Sequence, residues 1–154
     1  MFDIMANVLG GLMPILDAYR KTTHGENPWT WGALLNVIRL RRHIDRARAV
    51  VGGKVNSVYR SPQINALVNG HPESFHLAGA AADISYGAGW TLDTAAEALN
   101  LAALRGELGP VHKVVKEPAT NIVHVQWFKS GAPARHTPVF VTDERSDWGR
   151  GGLA

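Results

Sequence analysis

No cysteine occurs in the 154 residues. That removes disulfides and thiolate metal sites at once, so any metal held by this chain must sit on histidine and carboxylate. No apolar run is long enough to cross a bilayer. The most apolar stretch, MFDIMANVLGGLMPILDAYRK, is interrupted by Asp3, Asp17 and two glycines. It also lacks the basic opening of a signal peptide, so an amphipathic helix or arm is expected there, and export would need help or cell lysis. Repeats and low-complexity tracts are absent. Charge of one sign is scarce: 16 Lys and Arg stand against 13 Asp and Glu, a formal net charge of +3. That balance favours anionic partners, whether nucleic acid, anionic lipid or wall polymers, without choosing among them. The densest cluster, RLRRHIDRAR, has no aromatic residues interleaved, which argues against nucleic acid as a partner.

What is present suits one domain with a real core, since hydrophobic residues make up 45% of the chain. Residues 1–28 read as a helical extension and loop, 29–142 as the main body, and 143–154 as a loose tail. Asn27-Pro28 is expected to open a helix. Ala33, Val37, Leu40, Ile44, Ala47 and Val51 then form one stripe, with most arginines off it. KVNSVY reads as a short strand and RSPQIN as a turn. Asp83 to Tyr86 reads as a strand, and Thr94 with Glu97 as the capping box of a second helix. VHKVVK and NIVHVQWF are β-rich runs joined by the EPAT hairpin, and PVFVT adds a further strand. Along NIVHVQWF, Ile122, His124 and Gln126 point one way, and Val123, Val125 and Trp127 the other. The fold class is α+β, with short antiparallel strands among helices.

The chemistry concentrates in SFHLAGAAAD, Ser74 to Asp83. A histidine and an aspartate seven residues apart do not share a helix face. A tight turn at Gly79, with small residues at Ala81 and Ala82, would instead let the Asp83 carboxylate return toward the His76 imidazole. A catalytic zinc needs three protein ligands and an open position, and His124 on its strand is the natural third.

These residues fit S-x-H-x-x-G-x-A-x-D at every fixed position, and the chain thereby resembles the zinc D-Ala-D-Ala carboxypeptidase family. That family also contains phage L-alanyl-D-glutamate endolysins and shares its fold with the hedgehog signalling domain. Upstream, VNSVYRSPQINALVNGHPESFH resembles the family's SGYRSPxxN segment, with Arg60, Ser61, Pro62 and Asn65 in register. Downstream, IVHVQW resembles its closing histidine strand. The resemblance implies a small antiparallel sheet carrying one Zn2+ on His76, Asp83 and His124, with helices on the other face. It implies Arg60 at the scissile bond, contacting a substrate carboxylate or the developing oxyanion, and Ser74 as a hydrogen-bond donor either behind the metal ligands or to substrate. The implied activity is hydrolysis of a peptidoglycan stem peptide, as carboxypeptidase or endopeptidase, at the bacterial cell wall in a virion or at lysis. A monomer is the simplest expectation.

One position departs. The family places a Glu or Asp three residues before the last zinc histidine, and here that residue is Asn121, whose amide cannot take a proton. Glu117, at the end of the preceding strand, is the substitute general base; Glu73 is a weaker one, and His112 a candidate transition-state stabiliser. Gln126, His24, His43, His71 and His136 receive no role. The alternative to an enzyme is a zinc-containing binding or structural module of a phage particle, impaired by the change at Asn121.

Overall fold

The longest helix of the body begins where a threonine, rather than a proline, satisfies its first backbone donors. The computed structural model describes residues 2–129 and 136–142. In it Thr30 is extended, and its hydroxyl accepts the Ala33 N–H, so helix α2 runs Trp31–Val50. Asn27-Pro28 does not open it, because the Asn27 amide is committed elsewhere. It donates to the Arg20 and Tyr59 carbonyls and accepts the Ser61 N–H. This side chain ties the end of helix α1 (Phe2–Tyr19) to the segment entering the site.

The α2 stripe is buried as its spacing predicts: Ala33, Val37, Leu40, Ile44 and Ala47 are enclosed, and Val51 just beyond the helix joins them. Each large aliphatic residue so buried contributes about 1.5–3 kcal/mol. Leu16 of α1 completes this core from outside. Among the described residues no helix is long and apolar enough to cross a membrane.

Strand β1 (Val55–Ser57) is followed by a short helix, α3 (Pro62–Leu67), where a turn was expected. Ser61 accepts the Ile64 N–H and proline occupies the first turn, which suffices to wind six residues. Strand β2 (Ala81–Ile84) starts two residues earlier than expected. Helix α4 (Leu92–Leu104) is capped one turn earlier than Thr94–Glu97 would place it. Thr91 accepts the Thr94 N–H, and the Thr94 hydroxyl accepts the Thr91 N–H in return.

Strands β3 (Val111–Glu117), β4 (Ile122–Trp127) and β5 (Val139–Thr142) complete a five-stranded sheet of order β1-β2-β4-β3-β5. All neighbours are antiparallel except β3 and β5, which run parallel at one edge. Ala82, Ile84, Val123, Val125 and Trp127 face the helices. Their alternates on the opposite face include Asp83, paired in register with His124. The tail expected over 143–154 lies outside the described residues.

Gly79 closes the 3-10 turn Phe75–Ala78 with φ +62°, and a Cβ there would meet the Ala33 carbonyl oxygen at 2.6 Å. Gly106 has φ +74° with nothing near its missing side chain. Gly79→Ala should therefore lose more stability in urea unfolding than Gly106→Ala, which carries only the left-handed backbone cost of about 1–2 kcal/mol. Equal losses would mean that the close approach to α2 is not a constraint.

Candidate metal centre

Three elements carry the site. The 3-10 turn presents His76, strand β2 presents Asp83, and strand β4 presents His124 on the face away from the helices. The turn is held by Ser74, whose hydroxyl accepts the His76 N–H, and by Gly79, whose N–H returns to the His76 carbonyl. The segment after β1 clamps it from the side. Val58 offers its carbonyl to His76 Nδ1 at 2.7 Å, and the Arg60 N–H donates to the His76 carbonyl at 3.1 Å.

The carboxylate sits between the two imidazoles. Asp83 Oδ1 lies 3.1 Å from His76 Nε2 and 2.8 Å from His124 Nδ1, and the rings meet nearly edge to face at 5.0 Å. All three side chains are buried. One candidate ligand atom from each lies within 4.8 Å of the others, close enough to converge on one metal ion. A Val58 carbonyl can only accept, so His76 Nδ1 carries the proton and Nε2 presents a lone pair. Two imidazole nitrogens and one carboxylate oxygen form a donor set suited to zinc, and three ligands leave a fourth position for water or substrate.

The electrostatics agree with a site prepared for a cation. Burial pushes the His76 imidazole below its ordinary pKa, with Arg60 and His124 adding to that against the pull of Asp83. Burial acts to raise the Asp83 carboxyl, but the two imidazoles overcome it and hold it well below the usual range. Burial also acts to lower His124, and there the hydrogen bond and charge of Asp83, with Glu117 and Gln126 behind them, raise it. Without metal, a proton on His124 Nδ1 therefore bridges to Asp83.

Glu117 ends β3 on the same face as His124, two residues beyond Val115, the residue paired with His124. It is buried and accepts the Thr120 hydroxyl at 3.0 Å. Asn121 lies apart from it. It is exposed in the β3–β4 turn with φ +55°, a conformation asparagine tolerates, and its side-chain oxygen accepts the Tyr86 hydroxyl at 2.6 Å. Glu73 is exposed, and its backbone N–H donates to the ring of His71 two residues earlier. Arg60 is buried and lines, with Asp83, Lys21 and Thr22, a cleft of about 560 Å³ beside the cluster.

Two residues near the site were not legible from sequence as parts of one arrangement. Gln126 Oε1 lies 3.1 Å from His124 Nε2, and Gln126 Nε2 lies 2.8 Å from His112 Nδ1. Gln126 shares a strand face with His124 by simple alternation, so that signal was available. His112 reaches it because of an irregularity in the ladder. Val111 pairs with Trp127 and Lys113 with Gln126, so His112 is an extra residue on β3 and is turned from the helix face to the site face.

Zinc must displace the His124 proton. As pH falls through the raised pKa of His124, above the ordinary 6.5, zinc affinity should drop about tenfold per pH unit, and more steeply once His76 also titrates. At higher pH it should level off. Chelator competition across this range checks the slope, and a flat profile would remove His124 from the ligand set.

The family model described as Peptidase M15 matches residues 15–115, more than half of the chain. The matched span contains Arg60, Ser74, His76 and Asp83, while Glu117 and His124 follow it. No curated protein matches the chain.

Proposed function

Because the chain belongs to the peptidase M15 family, whose members are zinc-dependent peptidases, we propose that it hydrolyses a peptide bond in peptidoglycan stem peptides. The D-Ala-D-Ala carboxypeptidase and L-Ala-D-Glu endopeptidase types both suit the site, acting at the bacterial cell wall in a virion or at lysis. The observation that carries this reading is the buried cluster of His76, Asp83 and His124 with Glu117 buried on the same face.

In this reading His76 Nε2, Asp83 Oδ1 and His124 Nδ1 hold one Zn2+. Zinc so held lowers the pKa of water toward neutrality and polarises a carbonyl. Glu117 is the general base: it takes the proton of the attacking water and passes it to the leaving amine. The Thr120 hydroxyl donates to one carboxylate oxygen, Oε2, and orients the group. Arg60 offers a planar guanidinium from the wall of the cleft, matched to a substrate carboxylate or to the oxyanion. Ser74 accepts the His76 N–H, which leaves its hydroxyl proton to donate toward substrate.

A second reading is favoured by one observation. Asn121, at the place of the family's acid, is engaged with Tyr86, as in a module that keeps zinc for structure or ligand capture in a phage particle. One experiment separates the two. Purified protein with one equivalent of zinc, and a metal-stripped sample, would be incubated with peptidoglycan and soluble stem peptides and read by mass spectrometry. The peptidase reading expects a metal-dependent new terminus whose mass names the bond. Glu117→Gln should keep zinc bound and lower kcat by about 10²–10⁴-fold. Bound zinc with no product from any substrate would replace the enzyme by the module.

A further inference from the structure

We propose that Gln126 is a positioning residue that selects which nitrogen of His124 faces the metal, and that His112 in turn selects the orientation of Gln126. The inference rests on the metal reading of the cluster and not on the peptidase reading.

A neutral imidazole carries one proton on two nitrogens, and the protonated nitrogen cannot be a ligand. His76 resolves this with a backbone carbonyl, that of Val58, which cannot turn over. His124 has no such carbonyl. Its Nε2 meets the side-chain amide of Gln126, and an amide can present either end. With oxygen toward the ring it accepts from Nε2–H, so that when the proton bridging Nδ1 to Asp83 leaves, Nδ1 is the nitrogen left with a lone pair. Turned over, its NH2 would require Nε2 to accept, and the remaining proton would stay on Nδ1, the nitrogen that faces Asp83.

His112 decides between these. Its Nδ1 lies 2.8 Å from Gln126 Nε2 and accepts from it, so the oxygen end faces His124. The His112 ring is itself fixed. It stacks on Phe75 at 5.3 Å with planes 6° apart, and meets Phe128 edge-on at 5.0 Å. The bulge in β3 brings this ring to the site face, and Phe75 is the residue immediately before the ligand His76. The direction of donation runs from His124 to Gln126 and from Gln126 to His112. Such outer partners set ligand orientation and basicity, and their loss typically weakens metal binding by about 10–100-fold.

The test uses the full chain and zinc alone, with Kd from chelator competition. Gln126→Leu, close in size but unable to accept, should weaken zinc binding by about 10–100-fold. Gln126→Glu keeps an acceptor and should bind within about threefold of wild type or more tightly. His112→Phe keeps the ring contacts but lets the amide turn over, so its Kd should lie between wild type and Gln126→Leu. The inference is overturned if Gln126→Leu binds zinc as wild type does. It is overturned equally if Gln126→Glu falls as far as Gln126→Leu, which would leave only side-chain packing. Should Gln126→Leu not fold, the other two variants decide, since a wild-type Kd in His112→Phe also overturns it. A wild-type chain that takes up no zinc sinks the metal reading and this inference together. Tight zinc with no peptidase activity leaves this inference standing.

Discussion

Taking a carboxylate out of water costs several kcal/mol unless opposite charge or hydrogen bonds meet it, and Asp83 is 94% removed from solvent. Much of the local structure answers that one requirement. Its Oδ1 is approached by two imidazoles from opposite elements. This demands that β2 lie directly beside β4 and that the chain before β2 fold back in a tight turn. Ala80, Ala81 and Ala82 are wholly buried on the approach, where larger side chains would hold the backbones apart. The hydrophobic face of the sheet then works for the polar one: α2 and α4 fix the strand positions whose alternates carry Asp83 and His124.

The order of donors around the centre follows from what each partner is able to do. A carbonyl accepts and nothing else, and a carboxylate between two bases favours a proton or a cation there. A surface ion pair of the same composition would contribute little. Here the same groups are enclosed, and Glu117 adds further negative charge from the neighbouring strand. The cluster is a place where positive charge is welcome and water is mostly excluded.

Much of this was readable before any coordinates. The α2 stripe and the alternation along β4 follow from period alone, and the spacing from Ser74 to Asp83 singled out both the turn and its two polar ends. What was not readable depends on groups distant in sequence. Thr30 opens α2 because Asn27 is drawn to Tyr59 and Ser61, contacts no local rule contains. Thr91 outcompetes Thr94 as a cap through a reciprocal pair of threonine hydroxyl bonds that the expected glutamate signature does not describe. The bulge at His112 leaves no compositional mark, so the contact of that ring with Gln126 could not be read. Glu117 was legible as an acid near the hairpin, but not the isolation of Asn121, which follows from its left-handed turn and from Tyr86.

The in-register pairing of Asp83 with His124 spans 41 residues of chain, with α4 and β3 between them. His76 and Asp83 belong to one local segment and can meet early. Closing the remaining loop carries an entropy cost that grows with its length. During synthesis His76 and Asp83 leave the ribosome well before His124, so a nascent chain would offer a metal only two of the three side chains. The three side chains come together once the intervening helix and hairpin have docked. A cation captured then would fasten two distant stretches of backbone like a clasp, tying retention of the ion to completion of the sheet.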